Sequence, residues 1–528
     1  MPSLVQTVAA AGVAYGTYVL ARFLAARKPG ERVVAMNVSA AGMLVAGFWP
    51  PKGWLGSAYS QFIPYSKIGQ TVVPGIFPLT AERYVYVADA TACKMIMNDR
   101  HAFIKDTNNY ALISFFGQNI VGTEGDDWVR HRSIARKSFG EHNNALLWSE
   151  TVRTLEDWFS AWDAEIAESA DGRTTANVTD NLRDITLCVI ASAGFGMHFS
   201  RNTSNAHRGF EHALFTAIET MVVRVLAPRW MYSLPIHRLK ESDQAYSDLK
   251  VYIAEMIADA RKPGSAPGEA ADLFRRLVVA NEEEGEDGKR LTDDELLSNI
   301  YVFFLAGHET SAHTLTFALA LLAIHPDIQE KLFEEAKRLW PEASGDQWRG
   351  SNLSEFNSLE YTLAVFRETL RVFPAEPGVQ RVATRDILLP CHVRRSPSDK
   401  WEASQIQVDK GVKCTVNIHA VHMSPIYWGE DVDTFRPERF IDDPATGYTW
   451  PRDAWIPFTG GPHVCLGQRF AIVESVCILA RLMRRYRLEP TPEISRLPFK
   501  EQWERLTKWS VGVTSTPGRV DLVLQKRL

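Results

Sequence analysis

The chain is poor in cysteine, and the few it has suit neither a metal ribbon nor a disulfide framework. Six cysteines in 528 residues are too sparse for a scaffold of bridges, and no CxxC pair is present from which a zinc ribbon could be built. A Gly-x-Ser-x-Gly elbow is missing, so a hydrolase triad has no nucleophile turn. No glycine-rich dinucleotide fingerprint follows a strand, so electrons would have to come from a separate protein. Surplus positive charge is absent too: 58 Lys+Arg against 63 Asp+Glu leave −5, and nothing points to nucleic acid. Internal repeats are lacking. With 45% hydrophobic and 23% charged residues, the composition is that of a folded globular chain. Length alone suggests three or four domains, but no long linker divides the chain after Pro51, and residues 53–528 read as one large domain.

Residues 1–26 read as an N-terminal membrane anchor. From Leu4 to Leu24, Arg22 is the only ionisable side chain apart from two tyrosines, and 21 residues at helical rise span about 30 Å, a bilayer core. A cleaved signal peptide competes, but a positive n-region is missing. Arg22, Arg27, Lys28 and Arg32 cluster after the span, which places the rest of the chain in the cytoplasm. Residues 27–52 form an apolar or interfacial segment ending at a proline hinge. Its run Val33–Trp49 is broken by Asn37 and Ser39 and is expected to lie on the membrane rather than cross it. Triplets beginning at Asn37, Asn177, Asn202 and Asn352 match the glycosylation pattern, which a cytoplasmic body would leave unmodified.

Helical periodicity dominates from about Trp128 to Val372, with short β-like runs at Tyr84–Val87, Arg381–Leu389, Lys413–Ile418 and Val520–Leu524. The fold class expected is mainly α with small β-sheets. Thr292-Asp-Asp-Glu295 is a capping box, and the apolar helix it opens runs to His325 before Pro326. A helix of that length and character must pass through the middle of the protein. Lys262–Arg290, rich in Gly, Pro and acid, reads as a solvated loop around a short helix.

The segment Phe458-Thr-Gly-Gly461-Pro-His463-Val-Cys465-Leu-Gly467 carries the strongest chemical signal. Its cysteine stands at the start of a helix-compatible run, where the dipole and free N–H groups favour thiolate. Gly461 and Gly467 allow tight turns and close approach of a flat partner. A thiolate so held suits an axial ligand to haem iron; a buried core cysteine is the alternative.

On these residues the chain resembles the cytochrome P-450 superfamily of haem-thiolate monooxygenases. The signature Phe-x-x-Gly-x-Arg/His-x-Cys-x-Gly is complete, with His463 where Arg is commoner. The resemblance continues in order through Trp128-Val-Arg-His-Arg132, Ala306-Gly307-His308-Glu309-Thr310-Ser311, Glu368-Thr-Leu-Arg371, Arg381 and Phe435-Arg-Pro437-Glu438-Arg439-Phe440. It implies a haem b (heme b) held between a long central helix and the cysteine loop, with Cys465 as the iron ligand. It also implies that Trp128, Arg132, Arg381 and His463 hold the haem propionates, bidentate Arg–carboxylate geometry suiting that task.

Within the long helix, Gly307 and a back-bonding Thr310 would permit a widened groove beside a ligand. Glu309 and Thr310, an adjacent acid and alcohol, could deliver protons to dioxygen. Glu368 and Arg371 share one helix face; by resemblance they pair with Arg439 in a buried structural network. Arg130, Arg136 and Lys137 form either a solvated basic face or a docking patch for an acidic flavoprotein.

The implied reaction inserts one oxygen atom from O2 into an apolar terpenoid, lipid or other secondary metabolite, with electrons from NADPH through a flavoprotein reductase. The implied place is the endoplasmic reticulum membrane, catalytic domain toward the cytoplasm. Phe303, Phe304, Ala306, Ile113–Phe116, Ala375–Val379 and Leu506–Val511 are expected to line the pocket, with Glu376 its polar exception. A haem-thiolate isomerase or dehydratase, a non-catalytic haem carrier and a haem-free scaffold are the rival readings.

Overall fold

The computed structural model describes residues 4–33, 55, 57–77, 80–197, 205–262, 273–283, 290–342, 348, 350–512 and 514–527. The second apolar run beyond Val33, the triplets beginning at Asn37 and Asn202, and most of the 262–290 loop lie outside the described residues. The short helix expected within that loop is present as Leu273–Glu283.

Leu4–Ala26 is helical (α1), as its composition dictates. The spanning anchor is corrected: among the described residues no helix is long and apolar enough to cross a membrane. Gln6, Thr7, Thr17, Arg22 and a run of Ala and Gly dilute the hydropathy of α1. Its described part still exposes Val13, Tyr15, Tyr18, Leu20 and Leu24. Just after it, Arg83 pairs with Glu31 and with Asp409 (2.6 Å), and Lys28 reaches the same Asp409. These pairs tie the segment to the body.

Among the described residues, thirteen short strands make four sheets. The largest runs in the order β1 (Arg32–Val33), β2 (Val72–Phe77), β3 (Glu82–Val87), β9 (Lys413–Val416), β6 (Val379–Ala383), β4 (Phe103–Lys105). The smaller sheets are β10 (Tyr486–Pro490) with β13 (Asp521–Lys526) and β5 (Arg173–Asn177), the pair β7 (Ile387–Val393) and β8 (Glu402–Val408), and the pair β11 (Trp509–Val511) and β12 (Ser515–Pro517). The single run expected at Arg381–Leu389 is therefore two strands in two sheets. They part at Thr384-Arg-Asp386, where backbone groups of Thr384 and Lys410 find partners outside the ladder.

Helices supply most of the mass. Asp89 accepts from the N–H groups of Thr91 and Ala92 to start α2 (Ala90–Asn98). Glu124 stands before α3 (Gly125–Arg136). Asn177 caps α4 (Val178–Val189), which widens into a π turn over Ile190–Gly194. The central helix α5 covers Asp293–Ile324 behind the expected Thr292–Glu295 capping box. In α6 (Glu360–Val372) the first N–H groups, of Tyr361 and Thr362, are satisfied by the Glu335 carboxylate of the preceding helix at 2.7 and 2.9 Å. A carboxylate there also meets the positive end of the helix dipole. After the cysteine loop comes α7 (Gln468–Arg485).

The apolar run of α5 is buried against α4, α6 and α7. Each fully buried Leu or Phe contributes about 1.5–3 kcal/mol, so this helix is the mechanical axis of the fold. One stripe breaks the burial: Phe303, Ala306, Gly307, Thr310 and His313 are open or half-open in an otherwise enclosed helix. The spacing 3, 4, 7 and 10 from Phe303 is one helix face, and that face looks onto internal space.

Candidate active site

The cysteine loop precedes α7, which packs on α5. Thr459 (φ 61°) and Gly461 (φ 63°) turn the chain twice through left-handed conformations. The turn at Gly461 admits no side chain: a Cβ would come 2.2 Å from the Met97 carbonyl oxygen of α2. Cys465 N–H closes the loop onto the Phe458 carbonyl at 3.0 Å, and the Phe458 ring meets Trp455 edge-on at 6.0 Å. Gly467 is less constrained, with φ −82° and the Cys465 sulfur 3.9 Å from where its Cβ would stand.

Cys465 is the only exposed cysteine of the six. Its sulfur is nevertheless surrounded by protein, so the opening before it is an interior slot and not bulk solvent. Burial pushes the thiol up from its ordinary value, opposed by the Gly467 N–H, the Arg132 guanidinium and the Gln468 N–H. The helix terminus alone therefore does not make the thiolate expected from the sequence. A metal cation bound to the sulfur would, because a coordinating thiol gives up its proton outright.

The side chains expected at the propionates do converge. The Trp128 and His463 rings meet at 4.0 Å, tilted by 47°, Arg132 lies over the same indole at 5.5 Å, and Arg132 Nη1 donates to the Val464 carbonyl at 3.1 Å. Arg381 is 4% exposed, with Nη1 on the Gln380 carbonyl and Tyr110 within hydrogen-bonding reach. Sequence reading missed Lys105. The antiparallel pairing of β4 with β6 sets Lys105 directly opposite Arg381, and like charges in that register oppose pairing. Lys105 is buried, donating to the Ile120 and Val121 carbonyls at 3.1 Å. Burial pulls its ammonium down to about 7; Glu124 counters this, while Arg381 and Arg132 add to it.

Glu124 is the one carboxylate acting on this cluster among the described residues. Its acid is pulled down to about 2 against burial, by His463 (3.6 Å) and by the Lys105 and Gly125 N–H groups. His463 itself is lowered by burial. Three buried or half-buried cations, Lys105, Arg132 and Arg381, with one anion acting on them are electrostatically incomplete. Two carboxylates on a flat group beside Cys465 would complete them, and Arg132 stands close enough to act on the ligand sulfur. The residues fit haem b.

Other expected residues stand differently. Gly307 owes its constraint to Ile190 of the π turn, 3.0 Å from where its Cβ would be; it permits helix crossing more than it shapes the slot. The helix beside it is continuous, not widened, and the Thr310 hydroxyl donates to the Ala306 carbonyl at 2.8 Å. Glu309, the next residue back, feels the Arg183 guanidinium of α4; burial outweighs it and pushes the acid up to about 7. Phe304 belongs to the core, stacked 3.7 Å from Phe195 and facing away from the slot. Phe303 stays half-open against Phe139. Phe115 and Phe116 pack on Tyr246 at 5.1 and 5.7 Å. Leu506 is buried, whereas Ala375–Val379, Trp509 and Val511 are half-open. Arg130 is engaged by Glu295 at 2.6 Å and Asp127 at 3.1 Å; Arg136 and Lys137 are exposed.

Behind the loop, Glu368 and Arg371 form a two-bond fork at 2.7 and 2.9 Å, both fully buried. Arg371 continues to the His422 and Thr434 carbonyls, and Glu368 accepts the Arg436 N–H at 2.8 Å. Arg439 stands 3.6 Å from Glu368 and donates to the Trp428 carbonyl and to Asp431. Burial drives His422 well below its usual range, so its neutral Nε2 accepts the Ile456 N–H at 2.9 Å. The Ile456 carbonyl takes the Thr459 N–H at the mouth of the cysteine loop. The expected network is thus present, and it reaches the loop through His422.

Comparison with known proteins agrees with this geometry. Residues 73–520 match the sequence profile of the family described as Cytochrome P450. Cytochrome P450 monooxygenase 124 of Postia placenta is 36% identical over 460 residues, covering 86% of this chain and 84% of that one. Cytochrome P450 monooxygenase ORF6 of Penicillium roqueforti is 26% identical, over 84% and 80% of the two chains. Echinocystic acid 23-monooxygenase of Saponaria officinalis is 26% identical over 78% and 76%. A matching profile across most of the chain, joined to a sulfur-walled slot with a cation cluster at its rim, leaves one assignment: the chain belongs to the cytochrome P450 family and is a haem-dependent monooxygenase.

Proposed function

We propose that this enzyme hydroxylates an apolar small molecule of the terpenoid or lipid type, with NADPH-derived electrons delivered by a flavoprotein reductase. The balance is R–H plus O2, two electrons and two protons giving R–OH and water. The observation that carries the reading is an accessible cysteine enclosed by protein, in a chain whose central helix α5 leaves one stripe incompletely packed. Haem, when bound, supplies oxygen activation at iron. The protein's part is to hold it by Cys465, Lys105, Arg132 and Arg381, to exclude water with Phe303, Ala306 and the Ala375–Val379 wall, and to pass protons at Glu309 and Thr310. The terpenoid leaning rests on the substrate for which the Saponaria relative is named. Exposed Arg136 and Lys137 support an acidic docking partner.

Turnover with NADPH and a reductase tests the reading against peroxide-rearranging or dehydrating chemistry, which needs no external electrons. In that assay Glu309→Gln is expected to lower the coupled rate on the order of a hundredfold while leaving the haem absorption intact. Since burial puts the Glu309 carboxyl at about 7, the wild-type rate should fall as pH rises through 7, where the acid loses its proton. The variant should show no such limb. An unchanged rate and pH profile in Glu309→Gln would remove this residue from proton delivery.

We also place the chain at the cytoplasmic face of the endoplasmic reticulum membrane, attached at the surface. Exposed Tyr15, Tyr18, Leu20 and Leu24 of α1, with Trp230, Leu234 and Ile236 on the body, support attachment to a membrane surface. Flotation with phospholipid vesicles should be lost when residues 1–26 are removed; equal flotation of both forms contradicts it.

A further inference from the structure

The wall opposite the central helix holds a side chain that a purely apolar pocket does not need. After Phe373 the chain leaves α6, and residues Ala375 to Val379 are all half-open although they lie inside the protein. The segment is pinned. Ser515 N–H and Oγ donate to the Ala375 and Pro374 carbonyls at 2.8 Å, and His419 N–H donates to the Pro377 carbonyl at 3.2 Å. One residue before Ser515, Thr514 bonds His313 Nδ1 of α5 at 2.8 Å. His313 is pulled down to about 4 by burial and is neutral. Central helix, C-terminal hairpin and post-α6 segment therefore form one rigid wall, of the kind that fixes a side chain's aim.

Glu376 stands in this wall. It is surrounded by protein yet half-open, so its carboxyl borders an interior space like the one before Cys465. Within the wall its carboxyl accepts from the Gly378 N–H. Of the charged and titratable groups around it, Tyr110 lies within its electrostatic reach, and Arg381 and Asp106 act on the same phenol. Arg381 is already engaged with Tyr110 and the Gln380 carbonyl, and no cation among the described residues offsets the burial of Glu376. The acid is pushed up to about 8, which leaves it a neutral O–H donor at ordinary pH.

We propose that Glu376 determines substrate specificity, donating a hydrogen bond to a hydroxyl or carbonyl oxygen of an otherwise apolar substrate. The proposal rests on the monooxygenase reading and names the substrate class for it: a hydrocarbon skeleton already carrying one oxygen function. A reaction that installs such an oxygen must therefore precede this one. Leaving a buried donor unpaired is costly, so a hydrocarbon lacking the oxygen is rejected. A cationic substrate fits less well, because it would have to enter a wall that already holds Arg381 and surrender its hydration.

The test is optical titration of the full-length, haem-loaded ferric protein with matched pairs: 1-dodecanol and dodecane, farnesol and farnesane, cholestanol and cholestane, plus dodecyltrimethylammonium. At least one alcohol is expected to bind wild type about tenfold tighter than its hydrocarbon, the worth of one hydrogen bond. Glu376→Leu should erase that ratio and Glu376→Gln, which keeps an N–H donor, should preserve it. Glu376→Met replaces the leucine variant should that one not load haem. No preference in any wild-type pair, a ratio that survives in Glu376→Leu, or tighter binding of the quaternary ammonium than of dodecanol overturns the proposal. Failure of wild type to give a thiolate–haem spectrum would instead strike the monooxygenase reading itself.

Discussion

Glu368→Ala is expected to cost about 3–5 kcal/mol of stability, the usual result of stripping one partner from a buried ion pair. That is a large share of the about 5–15 kcal/mol that holds a typical domain together. The variant leaves the Arg371 guanidinium, fully buried, without its carboxylate, and it deprives the Arg436 N–H of its acceptor. The effect should reach the haem slot, because Arg371 holds the His422 carbonyl and His422 in turn holds Ile456. Denaturant unfolding of wild type and variant, followed by haem absorption and by tryptophan fluorescence, measures both. The expected result is a lower midpoint with haem lost before the body unfolds. Replacing both Glu368 and Arg371 by leucine should not restore stability, since the His422, Thr434 and Arg436 backbone groups would then lose these partners together. A cost under about 1 kcal/mol for Glu368→Ala would mean that the fork is incidental to the loop.

Much of this architecture is legible in the sequence where a motif is local. Thr292 and Glu295 announce the start of α5 because a capping box needs only four consecutive residues. The Gly461 turn and Cys465 are legible for the same reason, as is the Glu368–Arg371 fork at one helical turn. What sequence reading misses depends on distant register. Lys105 acquires its meaning only when β4 pairs with β6 and sets it against Arg381; a Phe-Ile-Lys strand carries no sign of that. Position along the chain puts Phe304 in the pocket, but its angle around α5 points it to Phe195. The Gly307 constraint belongs to Ile190 on another helix. The membrane-spanning expectation fails for a different reason: it rests on length and scarcity of charge, and the Ala, Gly and Thr of this stretch supply too little hydropathy for a span.

One bond, from the Cys465 sulfur to haem iron, underlies the chemistry, and Cys465→Ser tests it with little disturbance to the loop. The substitution keeps the N–H bond to Phe458 and the side-chain shape, while removing the atom that the Gly467 and Gln468 N–H groups and Arg132 face. A serine hydroxyl is far harder to deprotonate than a thiol, so iron in the slot would lose its strong donor. The absorption spectrum of the reduced, carbon-monoxide-bound protein reads the ligand directly. Wild type is expected to show the thiolate-shifted band and product formation with reductase, and Cys465→Ser to show neither. The same band and the same turnover in both proteins would contradict the assignment of Cys465 as the iron ligand.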